Sequence, residues 1–479
     1  MSIFVVYNII IISFLIYLMA EKKLYTIDEL VEMGMVEEEA VAYQRSLFDA
    51  YFDTIVTSQI VAQTAVADER LSFIDLFAGC GGLSDGFLQS GHFTSFAHVE
   101  WEQPMCETLK HRLSSKWHHN NADNEVIRFD IQRTDELLNG FDDEEYGHHI
   151  GLNALVNGRD VDVIIGGPPC QAYSLAGRIR DEHGMRNDYR NFLFESYIRV
   201  VKQYMPKFFV FENVVGLLSA APTGEPIVNI IRAEFKKAGY FVASDFKEAL
   251  FDVADFGVPQ HRKRIIILGI RQDVLSNNEQ LGDYMLSDFY KRIIPTFKCK
   301  HKSVSEAIGD LPGFTPLDEK TRVNGTNYSH YPLSYDGILN HEPRFHNIRD
   351  IGIFRMLAED IQSGRFEYIS TEKLKKLYTE KTGRESNIHK YYVLREDEPS
   401  NTIPAHLFKD GMRHIHPDPA QARSITVREA ARLQSFDDDF EFLGGRMYQY
   451  KMIGNAVPPT FAKVIADALY ILIRKYTKR

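Results

Sequence analysis

The run FIDLFAGCGGLSDGF, residues 73–87, joins an apolar strand pattern to a glycine loop and then to a helix pattern. Glycine lets the backbone turn tightly and approach a ligand closely. The third glycine of a G-x-G-x-x-G dinucleotide site is missing, because Ser84 stands in its place. The run predicts the first strand, loop and helix of an α/β domain that binds a nucleoside-bearing ligand. A plain strand-to-helix turn is the simpler alternative.

Further short β-rich runs follow this loop and alternate with helical stretches, among them FTSFAHVE, VDVIIGG, FFVFENV and RIIILGI. Such alternation predicts βα units and a parallel sheet. From about residue 283 to residue 442 it gives way to irregular sequence rich in Tyr, His, Asn, Pro and Lys. The pattern predicts a second, smaller and loop-rich domain in that region.

The composition limits the classes of function. The 479 residues carry a net charge of -11, which argues against a protein that coats nucleic acid indiscriminately. A nucleic-acid groove must therefore be locally basic, and positive charge gathers in residues 291–302 and 373–390. The four cysteines form no C-x-x-C pair, so we expect a reducing compartment, no disulfide scaffold and no metal site.

The beginning of the chain is unusual, because residues 3–19 are almost continuously apolar. The segment is near the lower length limit for a membrane helix. It could anchor the protein in a membrane, with Lys22 and Lys23 on the cytoplasmic side. The favoured alternative is that translation starts at Met19 and that the protein is cytoplasmic. Residues 21–70 follow with apolar residues at helical spacing, which predicts a small helical extension.

Cysteine 170 lies in VDVIIGGPPCQAYS, residues 161–174, directly after an apolar strand. A lone cysteine is usually a small buried hydrophobe. Here two prolines restrict the backbone before the thiol, and Arg178 and Arg180 would favour the reactive thiolate. Because catalytic groups concentrate at the carboxyl ends of strands in such sheets, Cys170 is a candidate nucleophile.

Acidic and basic residues occur at other strand ends. Glu212 follows an apolar run and would supply an acid beside the thiol, although it would equally serve as a cap for the next segment. In QHRKRIIILG, alternation would point Arg262 and Arg264 to one face, where they suit a base carbonyl or a phosphate unless they are solvent-exposed. Glu100 could accept ribose hydroxyl groups, and Trp101 could stack on an adenine.

In this order the motifs resemble those of the DNA (cytosine-5)-methyltransferase family of bacterial restriction–modification systems, over about residues 73–464. DLFAGCGGLSDGF resembles the first motif, EW the second and FDI the third. GGPPCQAYS resembles the nucleophile motif, ENV the base-protonating motif and QHRKR the Q-x-R-x-R element. TVREAARLQSF and IGNAVPPTFA resemble the ninth and tenth motifs.

The resemblance implies a reaction and its residues. Cys170 would add to C6 of a flipped-out cytosine, Glu212 would contact the ring nitrogen, and Arg264, with Arg262, would contact the carbonyl. The cofactor would be S-adenosylmethionine, leaving as S-adenosylhomocysteine. The residues implied around it are Phe77, Ala78, Gly79, Gly81, Gly82, Leu83, Glu100, Trp101, Asp130, Ile131, Pro168, Asn455 and Val457.

The family organisation implies a Rossmann-like methyltransferase sheet with helices on both faces and a smaller target-recognition domain. We expect the catalytic and cofactor domain in residues 71–285, target recognition in 286–445, and a segment that completes the catalytic domain in 446–479. The expected binding partner is double-stranded DNA, and a cognate restriction endonuclease is expected in the same restriction–modification system. We expect the enzyme to be a monomer. A transfer-RNA methyltransferase and a catalytically silent DNA-binding module remain as alternatives.

Two positions depart from the family pattern or stand out within it. Asp437 occupies a place where many relatives have proline, which we expect to loosen that turn. Cys80 is a second thiol inside the glycine loop, and we expect it to be structural.

Overall fold

In the computed structural model, which describes residues 70–169, 193–221, 224–409 and 411–477, the run LSFIDL forms a fully buried strand. The apolar first segment, the predicted helical extension and Cys170 with its two arginines lie outside the described residues. The strands in chain order are β1 Leu71–Leu76, β2 Phe93–Glu100, β3 Val126–Arg128, β4 Phe141–Asp143, β5 Gly147–His149, β6 Val163–Gly166, β7 Phe208–Val214, β8 Tyr240–Phe241, β9 Leu250–Asp252, β10 Lys263–Arg271, β11 Thr315–Val323 and β12 Thr326–Tyr331.

Eight of these strands form the central sheet, in the order β3-β2-β1-β6-β7-β10-β8, with β9 paired to β10. The pairs from β3 through to β7 are parallel, and β10 runs antiparallel to β7. The α/β class predicted from the alternating pattern is therefore confirmed. The prediction of a parallel sheet is wrong for the run RIIILGI, which forms the antiparallel strand β10. Because β10 is reversed, its first residues lie at the same edge of the sheet as the carboxyl ends of β1, β2, β6 and β7, and Arg264 is in register with Val214.

Helices connect and flank the strands. In chain order they are α1 Gly82–Gln89, α2 Gln103–Ser115, α3 Ala122–Glu125, α4 Thr134–Asn139, α5 Gly151–Val156, α6 Leu193–Tyr204, α7 Ile227–Lys237, α8 Glu279–Asp288, α9 Val304–Ile308, α10 Ile348–Gln362, α11 Thr371–Thr382, α12 Val427–Leu433, α13 Arg446–Asn455 and α14 Pro459–Tyr476.

The final helix α14 packs closely against α1, near the beginning of the described chain. A Cβ added at Gly86 of α1 would lie 2.4 Å from the Ala462 Cβ and 2.5 Å from the Pro459 carbonyl oxygen. Glycine is therefore required for this approach. The stretch Arg446–Tyr476 is the one helical part of the described chain that is long and apolar enough to cross a membrane, and two thirds of its apolar window is buried in the protein. This burial is that of a core helix.

Three apolar clusters form inside the protein. The largest surrounds the sheet and combines residues from Leu71 to Ile294 with residues from Val457 to Ile473. A second joins α9, α12 and α13, and a third lies under α10 and α11. The last two helices lie in the region whose sequence is irregular, and the pattern analysis did not predict them. Each is capped by a side chain, Asn347 for α10 and Ser370 for α11. The domain boundaries stay a prediction.

Candidate active site

The glycine loop between β1 and α1 has the backbone conformation that its composition predicts. Phe77, Gly79 and Gly81 have positive φ angles of 61°, 57° and 94°. A Cβ at Gly81 would lie 2.5 Å from the Leu109 side chain, whereas a Cβ at Gly79 would meet nothing within 4 Å. Gly79 therefore leaves open space in front of the backbone, as a close ligand contact requires.

The beginning of α1 is tied to the end of the chain. A Cβ at Gly82 would lie 2.5 Å from the Val457 carbonyl oxygen, so no larger residue fits there without a shift. Val457 itself is buried, as are Ala78 and Leu83. Asn455, at the end of α13, is exposed. The first and tenth motifs therefore meet at this loop.

Glu100 is buried directly beside the loop. One carboxylate oxygen accepts a hydrogen bond from the Gly79 N–H at 2.9 Å, and the other accepts bonds from the N–H groups of Trp101 and Glu102, both at 2.9 Å. Burial raises the pKa of Glu100, against the lowering effect of these three amides. The carboxylate is fixed in position relative to the glycine loop.

Two further predicted residues flank Glu100. The Trp101 side chain is 53% exposed, and it lines an open cavity of about 450 Å³ together with Arg128, Tyr146 and Tyr448. Asp130 follows β3, the strand next to β2, and its carboxylate accepts a hydrogen bond from the Gln132 N–H at 3.0 Å. The structure therefore brings the second and third motifs together at one edge of the sheet, with an uncovered indole ring.

A buried ion pair lies at the ends of β7 and β10. The Arg264 Nε and a Glu212 carboxylate oxygen are 2.7 Å apart, and each side chain is 11% exposed. Burial raises the pKa of Glu212, whereas Arg264 and then Arg262 lower it. A Cβ at Gly167 would lie 2.5 Å from the other Glu212 carboxylate oxygen. The segment that continues through Pro168, which is buried, to Cys170 therefore starts directly against this acid.

Arg262 has a different environment from Arg264. Its guanidinium donates to the carbonyl oxygens of Ile403 at 3.0 Å, Gly454 at 2.8 Å and Ala456 at 3.1 Å. Only 2% of the residue is exposed, and it precedes β10, so the strand alternation expected from sequence does not extend to it. Three backbone carbonyls orient the Arg262 guanidinium, and both Arg264 and Arg262 lower the pKa of Glu212, so the expectation that both arginines point to one face stays a prediction.

The ninth motif contributes residues that sequence analysis named only as part of a pattern. Gln434 donates to the Ala456 carbonyl oxygen at 2.7 Å, and it also contacts the Gln260 side chain. Gln260 in turn accepts a hydrogen bond from the Ile403 N–H at 2.9 Å. The glutamines therefore link the Q-x-R-x-R element to the ninth and tenth motifs, which the motif order alone does not reveal.

Asp437 does not loosen its turn as predicted. Its carboxylate accepts hydrogen bonds from Gln89 at 3.1 Å and from Arg112 at 3.3 Å. Arg112 is buried and also pairs with Asp85 at 2.7 Å and Asp439 at 2.6 Å. An ion-pair network therefore holds the segment that contains Asp437.

Cys80 is 2% exposed, and burial raises the pKa of its thiol well above the ordinary value, as expected of a structural cysteine. Within the described ranges, no group of three His, Cys, Asp or Glu side chains is arranged to hold a metal ion.

These features fit a nucleoside-bearing cofactor. The loop gives open backbone at Gly79, a carboxylate locked beside it at Glu100, and an exposed indole at Trp101. The ion pair of Glu212 and Arg264 lies at the same edge of the sheet. The candidate cofactor residues and the ion pair thus share one edge, where catalytic sites form in α/β sheets of this kind.

Comparison with known proteins agrees with this arrangement. Residues 71–470 match the family described as C-5 cytosine-specific DNA methylase. The chain is 36% identical to the type II methyltransferase M.Bpa9945I of Bacillus paralicheniformis, with 83% of this chain and 98% of that protein covered. It is 33% identical to the type II methyltransferase M1.HphI of Haemophilus parahaemolyticus, with 83% and 86% covered.

The fold also has a solved counterpart. A prophage-encoded protein of E. coli, named as a DNA modification methyltransferase, matches with a TM-score of 0.51 at 23% identity, over 84% of this chain and 99% of that chain. Fold and site together define a DNA methyltransferase of the S-adenosylmethionine-dependent class. The chain belongs to the C-5 cytosine-specific DNA methylase family, so the resemblance found in the sequence is confirmed. It is a cytosine-C5 DNA methyltransferase of the type II restriction–modification kind.

Proposed function

We propose that the enzyme methylates C5 of a cytosine within a specific double-stranded DNA sequence, through a covalent bond between Cys170 and C6 of a base flipped out of the duplex. The observation that carries this proposal is the buried pair of Glu212 and Arg264, which lies against Gly167, three residues before the cysteine. A base must leave the stack to reach groups this deeply buried.

S-adenosylmethionine, when bound, supplies the methyl group as an electrophile. The glycine loop from Phe77 to Leu83, with Glu100, Trp101, Asp130, Ile131, Pro168, Asn455 and Val457, is proposed to hold it. Glu100 is oriented by three amides to accept ribose hydroxyl groups, and the exposed ring of Trp101 is available for stacking.

The protein groups act on the cytosine. The Cys170 thiolate forms a bond to C6, Glu212 donates a proton to N3, and the resulting enamine makes C5 nucleophilic. After C5 is methylated, its proton is removed, the bond between sulfur and C6 breaks, and N3 returns its proton. The raised pKa of Glu212 favours the protonated form that this step requires.

Arg264 and Arg262 have distinct proposed roles. Arg264 pairs with the Glu212 carboxyl group at 2.7 Å and is proposed to donate to the cytosine carbonyl. Arg262 is proposed as a positioning residue, because its donors hold the carbonyls of Ile403, Gly454 and Ala456.

The region 286–445 is proposed to recognise the target sequence in double-stranded DNA. The relatives are named type II methyltransferases, which supports a role as the modification enzyme beside a cognate restriction endonuclease. We further propose a cytoplasmic, monomeric enzyme.

The decisive experiment combines trapping and sequencing. Wild-type protein should form a denaturation-resistant adduct with duplex DNA that contains 5-fluorocytosine, and Cys170→Ser should form none while still binding S-adenosylhomocysteine. Bisulfite sequencing of DNA from cells that express the chain would identify the methylated sequence. Methylation of transfer RNA in place of DNA, or adduct formation by the Cys170→Ser protein, would refute the proposal.

A further inference from the structure

Ser84, which occupies the place of a third loop glycine, bridges two strands beneath the cofactor loop. Its hydroxyl oxygen lies 2.5 Å from a carboxylate oxygen of Asp75 on β1 and 2.9 Å from Nδ1 of His98 on β2. Asp75 and His98 are directly in register across the parallel pair. All three residues are buried, with exposed fractions of 1%, 0% and 0% for Asp75, Ser84 and His98. One hydroxyl therefore connects β1, α1 and β2 under the loop.

We propose that Asp75, Ser84 and His98 form a positioning set that holds the cofactor loop closed through shared protons, and that its uncharged state is the one that binds S-adenosylmethionine tightly. This inference rests on the proposed role of the loop in cofactor binding. None of the three residues is placed in contact with the cofactor or the cytosine, so the set acts through the backbone of the loop.

The hydrogen bonds that join Ser84 to Asp75 and to His98 each contain one proton. This requirement limits how protons can be distributed over the three side chains. In the uncharged arrangement, Asp75 is protonated and donates to Ser84, and Ser84 donates to Nδ1 of His98. In the charged arrangement, Ser84 donates to the Asp75 carboxylate, and His98 donates from Nδ1 to Ser84. Both arrangements keep the bridge, and they differ by one proton and one negative charge.

Burial decides between these arrangements. The second oxygen of the Asp75 carboxyl group and Nε2 of His98 are both buried, and neither has a hydrogen-bond partner among the residues that the structure describes. An ionised carboxylate with an unpartnered buried oxygen is costly, and it favours local opening that lets water reach the charge. Because Ser84 lies in the first turn of α1, directly after the loop, such opening would displace the loop that precedes it.

The charged surroundings agree with an uncharged Asp75. Burial raises the pKa of Asp75 to about 7 and the negative Glu100 on β2 adds to the rise, whereas the bonds from Ser84 lower it. Burial lowers the pKa of His98 to about 3, so it is neutral at pH 7. Asp85 on α1 is already paired with Arg112.

Two further titratable groups face the set. His119, between α2 and α3, adds to the lowering of the His98 pKa and is itself paired with Glu125 at 2.5 Å. Tyr197 on α6 donates from its hydroxyl to backbone carbonyls of β6 and β7, and burial raises its pKa. The β6 residues next to β1, Val163–Gly166, carry no charge. No cation on these described neighbours therefore balances an ionised Asp75, and deprotonation above about pH 7 should weaken cofactor binding.

The test measures binding of S-adenosylhomocysteine to the full-length protein by calorimetry, beside methylation kinetics. Ser84→Ala should raise the Kd by about tenfold while kcat at saturating S-adenosylmethionine changes by less than about twofold, because one hydrogen bond is lost at each neighbour. Ser95→Ala is the matched control, since Ser95 is also buried on β2 but its hydroxyl has no hydrogen-bond partner in the described part of the chain. Its Kd should equal that of the wild type.

Asp75→Asn gives a second, isosteric test that keeps the bridge and removes the titration. The wild-type Kd should rise as pH increases through about 7, and the Asp75→Asn Kd should stay constant from pH 6 to pH 8. The same pH dependence in both proteins, or an unchanged Kd in folded Ser84→Ala, would overturn the inference. Wild-type protein that binds no S-adenosylhomocysteine would instead refute the proposed cofactor role of the loop.

Discussion

Replacement of Gly86 by alanine tests whether the first and last described helices need close contact. The added Cβ would lie 2.4 Å from the Ala462 Cβ, whereas apolar carbons in contact are about 4 Å apart. The neighbouring Pro459 carbonyl oxygen and Lys463 nitrogen, at 2.5 Å and 2.6 Å, are backbone atoms, so no side-chain rotation relieves the clash. Helix α14 would have to move by more than an ångström from α1.

The expected cost follows from two opposing contributions. Overpacking of this kind costs about 1–3 kcal/mol, with a rigid backbone neighbour favouring the upper end, and alanine returns about 1 kcal/mol of helix propensity. We therefore expect Gly86→Ala to lower the free energy of unfolding by roughly 1–2 kcal/mol. Because α1 carries the glycine loop, the Kd for S-adenosylhomocysteine should rise in the same protein.

Gly352 provides the matched control, because it also lies inside a helix, α10, but a Cβ there would meet nothing within 4 Å. Gly352→Ala should raise the free energy of unfolding by about 0.5–1 kcal/mol through propensity alone. Urea unfolding followed by circular dichroism would measure both variants. If Gly86→Ala proved as stable as Gly352→Ala, the close packing of α14 on α1 would be refuted.

Three further predictions concern catalysis, acid stability and DNA binding. Glu212→Gln should lower the single-turnover methylation rate by about 100-fold or more without changing cofactor affinity, and wild-type rates would exclude Glu212 as the proton donor. Burial raises the pKa of Glu429, but its buried partner Arg423 outweighs this effect and lowers the pKa from 4.5 to about 2. The ionised Glu429 therefore contributes stability that is fully present above pH 4.5 and is lost as pH falls toward 2. Glu429→Gln should be less stable than the wild type by about 3 kcal/mol at pH 7, and urea unfolding at acid pH should show a smaller difference. Alanine at the exposed Lys373 and Lys376 of α11 should weaken DNA binding and reduce its salt dependence, whereas alanine at the two lysines that end α7 should leave the salt slope unchanged.

Local sequence was sufficient to predict five strands of the central sheet, namely β1, β2, β6, β7 and β10, and the edge at which the candidate site forms. An apolar run followed by glycine fixes where a parallel strand stops, and the carboxyl ends of such strands necessarily meet. For this reason the glycine loop, Glu100 and Glu212 were found together, as expected. The helices α10 and α11 were not predicted, because their apolar residues face a small separate cluster and many of their other positions are polar.

Contacts between distant segments were the part that local patterns could not supply. Alternation along β10 gave no information on Arg262, because its partners are carbonyls near residues 403 and 455. Asp437 was expected to loosen a turn, but its carboxylate meets Arg112, more than three hundred positions away in sequence. The departure from G-x-G-x-x-G at Ser84 was visible in sequence, yet its meaning depended on which strand residues lie beneath it.

Residues 454–457 connect the glycine loop to Arg262 and Gln434. The carbonyl of Gly454 accepts from Arg262, and the carbonyl of Ala456 accepts from both Arg262 and Gln434. The carbonyl of Val457 lies where Gly82 excludes any side chain. Between these fixed carbonyls, the side chain of Asn455 is exposed. Because the backbone on both sides of Asn455 is fixed, its side chain loses little conformational entropy when it binds a ligand. This lower entropy cost is a physical reason for the tenth motif to pack against the first.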